Sequence, residues 1–124
     1  MRVTARNEAA SRNGLINKNE MQQGGTVYIM SSPNRTTLYV GVTSDLLDRI
    51  EKHRNKYYPD SFSAKYNCVM LVYYKNFQGI EEAIAEEKRL KGGSRKQKES
   101  LIISVNPGWI DLWERVCAGD FLTA

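Results

Sequence analysis

Two cysteines, Cys68 and Cys117, and a single histidine are all that this chain of 124 residues contains. Two thiols cannot build a disulfide framework. Neither sits in a metal-type cysteine pair, so both read as buried or incidental thiols of a reducing compartment. Long apolar runs are missing as well: nothing approaches the roughly 18 residues of a membrane span. The N-terminus lacks the apolar core of a secretory signal. Internal repeats are absent. These absences leave a soluble cytoplasmic protein with no membrane partner as the expectation.

What remains is ordinary for one folded domain, with 41% hydrophobic and 26% charged residues. The net charge of +4 leans towards polyanions, because Lys and Arg attract phosphates. Its distribution is uneven. Residues 86–98 read EEKRLKGGSRKQK and gather Lys88, Arg89, Lys91, Arg95, Lys96 and Lys98. Such a run is either a solvated helix end, where cations are favoured, or a phosphate-contacting patch.

Residues 1–24 are polar and show no sustained apolar period, which marks a flexible N-terminal extension. From Gly25 the texture changes. TVYIM and LYVGV are short β-branched and aromatic runs separated by the turn chemistry of SSPNRTT, a hairpin signal. Thr43 or Ser44 is placed to cap a helix in which Leu46, Ile50, His53 and Tyr57 share one face, with Pro59 ending it. CVMLVYYKNF is the strongest strand, apolar on both faces. Gly79 opens a helix over IEEAIAEEKRLK that Gly92 and Gly93 stop. A further helix is expected from about Ser94 to Val105, and WIDLWERV suggests a short closing one. The order β-β-α-β-α-α implies an α+β fold, a small three-stranded antiparallel sheet flanked by helices, over residues 25–117 with a tail at 118–124.

Within these elements, some polar residues stand where periodicity places core. Glu87 falls seven residues after Ile80 on the buried stripe of its helix, where a carboxylate is costly to desolvate without a cation, a metal or a donor. A rim position or a salt bridge with Arg49 would also account for it. Arg49 and His53 lie one turn apart and reach one site. The Arg fork matches phosphate oxygens, whereas a lone His on such a face also fits a core-edge residue. Tyr28 and Tyr39 sit inside apolar strands, where tyrosine ordinarily packs. Gly41 lets the backbone turn closely between strand and helix.

Taken in order, Tyr28 in TVYIM, YVG at 39–41, DRIEKH, AIAEEK and the NP before a Trp resemble the GIY-YIG nuclease superfamily, most of all its small stand-alone bacterial members. The similarity spans about residues 25–115. The resemblance implies a three-stranded antiparallel sheet with flanking helices. It makes Tyr28 and Tyr39 the tyrosines of the first and second motifs, Arg49 the arginine of the following helix and His53 the histidine one turn later. It makes Glu87 the ligand of a single divalent ion, Mg²⁺ or Mn²⁺. Asn106 matches an asparagine near the metal site or closing the core.

Thr26 replaces the first glycine of the family pattern and Val40 an isoleucine, while Glu86, Gly93 and Lys75 depart from what stand-alone members commonly carry. None of these removes a candidate catalytic group, but they put transfer of substrate preference in doubt. The expectation is a divalent-metal-dependent endonuclease with a one-metal mechanism, weakly specific or structure-selective, in DNA repair or recombination. DNA rather than RNA follows from the resemblance alone, and no organic cofactor is called for. The alternative is a non-catalytic nucleic-acid-binding module that uses the 88–98 patch and keeps its tyrosines for packing.

Overall fold

The computed structural model describes residues 24–119. The expected extension over 1–24 therefore lies almost wholly outside the described residues, as does most of the tail after 118. Three antiparallel strands, β1 (Gly25–Ser31), β2 (Leu38–Thr43) and β3 (Met70–Phe77), form one sheet in the order β2-β1-β3. All seven residues of β1 are buried, as a central strand covered on both faces requires. The β1–β2 loop is tied by Ser32, whose hydroxyl accepts from the Thr36 and Thr37 amides at 3.2 and 3.1 Å. The fold is α+β, as the element order implied.

Alternation along the strands sorts the core into two halves. Val27, Ile29, Val40 and Val42 face α3 (Ile80–Lys91) and α4 (Arg95–Val105), meeting Ala83, Leu90, Ile102 and Trp109. Tyr28, Met30, Tyr39 and Leu71 face the other way, onto Leu46 and Ile50 of α1 (Leu46–Arg54) and Val116 of α5 (Trp113–Cys117). A bulge explains why β3 reads as apolar without alternation. Ile29 pairs with Tyr73 but Met30 with Leu71, so Val72 is extra, and Val72 and Tyr73 both join the first half. Register matters for more than stability here, because a one-residue slip would turn Tyr28 to the wrong face.

Local signals account for most helix ends, with three corrections. Asp45, rather than Thr43 or Ser44, caps α1, accepting from the Asp48 amide at 3.2 Å. Thr43 instead accepts from the Asp45 amide at 3.0 Å and holds the approach. The helix also stops at Arg54, well before Pro59. Lys56 takes a left-handed conformation (φ 51°) and the Tyr57 amide folds back onto the Lys52 carbonyl at 2.9 Å. Tyr57 thereby leaves the buried face and is 62% exposed. Finally, a one-turn helix absent from the sequence expectation, α2 (Phe62–Lys65), follows an N-cap at Ser61 and turns Ser63 and Ala64 inward. Four residues are too few to display a helical period. Ser94 and Gln97 form a reciprocal capping box that starts α4 where expected.

Candidate active site

The site is built on the face of the sheet that α1 covers. Tyr28 on β1 lies directly across from Gly41 on β2. A Cβ at position 41 would collide with the Tyr28 ring and hydroxyl, so the glycine leaves room for the phenol. This corrects the reading of Gly41 as a corner residue: it lies within the extended strand, and its role is a cavity for an aromatic ring. The Tyr28 hydroxyl is 2.8 Å from His53 Nε2, and His53 Nδ1 is 2.9 Å from the Ser63 hydroxyl on α2. Burial first, and the Arg49 guanidinium second, lower the His53 pKa to about 3. The ring is therefore neutral at physiological pH, with one nitrogen a donor and the other an acceptor.

Tyr39 links this pair to the helix on the opposite side of the sheet. Its ring centroid is 5.2 Å from that of His53 and 6.3 Å from that of Tyr28. Lys91 Nζ sits over the Tyr39 ring at 5.2 Å and 3.4 Å from the Glu87 carboxylate. Glu87 is fully buried, as its place on the helical stripe implied. Lys91, which the sequence grouped with the exposed cations, is half-buried and belongs to this carboxylate.

Arg49 is only 2% exposed and its guanidinium lies 5.5 Å from the Tyr58 ring centroid. It lines a cleft of about 280 Å³ together with His53, Lys52 and Lys56 on one side and Tyr58, Asp60, Ser61 and Ser63 on the other. Arg49, Lys52 and Lys56 outnumber Asp60 in the lining and, even with Lys52 paired to Asp48 at 3.1 Å, leave the cleft a positive field suited to a phosphate. Tyr57, Phe62 and Tyr66 expose their rings. Phe62 stacks near Tyr39 at 6.4 Å and contacts Tyr66 at 4.6 Å.

Comparison with known families decides what this arrangement belongs to. The family model described as the GIY-YIG catalytic domain matches residues 24–100, more than half of the chain. The chain belongs to the GIY-YIG family. A solved structure with similar sequence is the solution NMR structure of a UPF0213 protein from Bacillus halodurans, 30% identical over 68% of this chain and 87% of that one, with a TM-score of 0.43. No curated protein matches the chain significantly.

In this GIY-YIG domain the sheet brings Tyr28, Tyr39, Arg49 and His53 together, and Lys91 connects them to Glu87. Asn106 sits elsewhere. It caps α4 and staples the core, donating to the Val72 and Ile110 carbonyls at 3.1 and 2.8 Å and accepting from the Ile110 amide at 3.1 Å. The basic run is largely engaged locally. Arg89 pairs with Glu86 at 2.6 Å and holds its carboxyl below the usual range. Arg95 binds Glu99 and the Arg35 and Thr36 carbonyls, and Lys98 donates to the Gly93 carbonyl. Lys88 and Lys96 stay exposed.

Sequence reasoning missed Lys52, Lys56, Tyr58 and Ser63. The lysines follow the one-turn spacing from Arg49 and His53 and were legible as a cationic edge. Nothing local signals Ser63, whose place depends on a turn that only the folded chain forms.

Proposed function

We propose that this chain is a divalent-metal-dependent endonuclease that hydrolyses DNA phosphodiester bonds with a single metal ion. The observation that carries the reading is the 2.8 Å hydrogen bond between the Tyr28 phenol and a buried, neutral imidazole in a cationic cleft. A buried phenol needs a hydrogen-bond partner in any case, but a partner with a free ring nitrogen that can take a proton fits a phenol that activates water.

The residues present fit one hard cation. Among the described residues no group of three or more His, Cys, Asp or Glu converges as a metal cage. A lone carboxylate suits Mg²⁺, which keeps several waters and borrows phosphate oxygens. Glu87, fully buried beside Lys91, is the residue that would hold it. When bound, Mg²⁺ or Mn²⁺ supplies Lewis acidity at the scissile phosphate and the leaving 3′ oxygen.

The chain's own groups divide the rest of the work. Tyr28 takes a proton from the attacking water as it yields its own towards His53, whose free ring nitrogen holds it only transiently because burial and Arg49 disfavour the charged ring. A phenol has an ordinary pKa near 10, so the Tyr28 proton has to leave in step with the transfer from water. Arg49 braces the non-bridging oxygens as charge builds on them. Tyr39, between His53 and Lys91, orients water or phosphate. The exposed Phe62 and Tyr66 rings beside the site favour bases that are not stacked in a duplex, which supports structure-selective cleavage in repair or recombination.

The test is nicking of plasmid and branched DNA by purified protein with Mg²⁺ or Mn²⁺, alongside Glu87→Ala and Arg49→Ala. Losses of about 100-fold or more in both variants are expected. Equal trace cleavage by all three proteins would sink the enzyme reading. Salt-sensitive binding that survives both EDTA and Glu87→Ala, without cleavage, would leave a non-catalytic binding module.

A further inference from the structure

His53 has two faces, and only one of them is explained by the tyrosine. The other, Nδ1, meets the Ser63 hydroxyl at 2.9 Å. Ser63 is 3% exposed and is brought there by α2, a single turn whose Ser61 cap accepts the Ala64 amide at 3.3 Å. A serine hydroxyl both donates and accepts, so by itself it does not choose a tautomer. Its neighbour offers one way to choose. The Ser61 hydroxyl lies 3.4 Å from that of Ser63 and either can donate; with the Ser63 hydrogen turned to Ser61, the Ser63 oxygen is left to accept from the ring.

We infer that Ser63 is a positioning residue that holds His53 in the Nδ1–H tautomer, so that the Nε2 lone pair faces the Tyr28 hydroxyl. In that arrangement the phenol donates to a base. In the opposite one, Nε2–H would point at the phenol oxygen and no proton could move from Tyr28 to the ring. The transfer is balanced: the Tyr28 O–H bond breaks, an Nε2–H bond forms, and phenolate and imidazolium result. The imidazolium then releases a proton from Nε2 or Nδ1, the latter towards the Ser63 side, where Ser61 and Ser63 border the cleft. Because a neutral ring is strongly favoured at this position, His53 serves as a conduit and does not store the proton. The inference rests on the nuclease reading only for the direction of proton flow; the tautomer is a property of the free protein.

The chain's single histidine makes that tautomer directly readable. Long-range proton–nitrogen correlation spectra of ¹⁵N-labelled, tag-free protein at neutral pH are expected to show a protonated Nδ1 and an unprotonated Nε2. Ser63→Thr, which keeps the hydroxyl, should keep that pattern, and Ser63→Ala should shift population to Nε2–H. In the cleavage assay Ser63→Ala should lower kcat at least about tenfold with KM unchanged, and Ser63→Thr should restore it. A wild-type spectrum dominated by Nε2–H overturns the assignment, even if Ser63→Ala does not fold. So does a folded Ser63→Ala protein that keeps Nδ1–H and full kcat. Inactive wild type with the expected spectrum would refute the nuclease reading while upholding the tautomer.

Discussion

The ring of Tyr28 occupies the space where a side chain at position 41 would stand, so one packing contact sets the position of the candidate water-activating phenol. Gly41→Ala is expected to displace that ring, destabilise the fold by about 1–3 kcal/mol and abolish cleavage. Urea denaturation together with the nicking assay checks it, and a stable, active variant would contradict it. Glu87 makes the reverse case. Its partner Lys91, 3.4 Å away, is part-exposed and can turn its charge to water, so Glu87→Gln should change stability by no more than about 1 kcal/mol, in either direction, while removing Mn²⁺ affinity and activity. A large loss of stability in Glu87→Gln would make the carboxylate a structural group. Of the site, Glu87 was visible as a polar break in an apolar stripe, and Arg49 with His53 as a pair one turn apart. Tyr28 and Tyr39 were not separable from packing tyrosines by local physics, because their roles depend on which face of the sheet α1 covers.

Elements differ in how far short-range rules reach. The hairpin, α3 and α4 carry their own signals in turn residues, glycine stops and the Ser94 capping box, and these were legible in the sequence. The end of α1 was not, because the left-handed residue is Lys56 and no glycine marks it. Nor was the β3 bulge, since an apolar run looks the same with or without an extra residue. Asn106 works at this scale, joining the end of α4 to β3 and to the turn at Ile110 through three hydrogen bonds. Asn106→Ala is expected to cost about 2–3 kcal/mol by leaving buried backbone groups unpaired, with Mn²⁺ affinity of the folded protein unchanged. Calorimetry of folding and of metal binding separates the two, and a metal defect without a stability defect would move Asn106 into the site.

At the scale of the whole molecule, charge and proton linkage set the working conditions. His53 titrates near 6.5 in the unfolded chain and near 3 in the fold, so between those values the unfolded state binds the extra proton. Stability is therefore expected to fall as pH drops below about 6.5, with a slope approaching 1.4 kcal/mol per pH unit, roughly the linkage of one proton. Because the chain has one histidine, the slope between pH 6.5 and 5 belongs to it, and His53→Gln should flatten that window. An unchanged slope in the variant would mean that His53 is not buried neutral. With a net charge of +4 and a cleft of Arg49, Lys52 and Lys56, the proposed binding to DNA is expected to weaken as salt rises, and no helix among the described residues is long and apolar enough to cross a membrane. The central claim is that Tyr28, Arg49, His53 and Glu87 act as one phosphodiesterase site. It is tested most directly by cleavage of end-labelled branched DNA in Mn²⁺ by wild type, Tyr28→Phe and Glu87→Gln proteins matched for folding. EDTA-sensitive cleavage by wild type and losses of about 100-fold or more in both variants are expected; equal cleavage by the three proteins, or none by any, would contradict the claim.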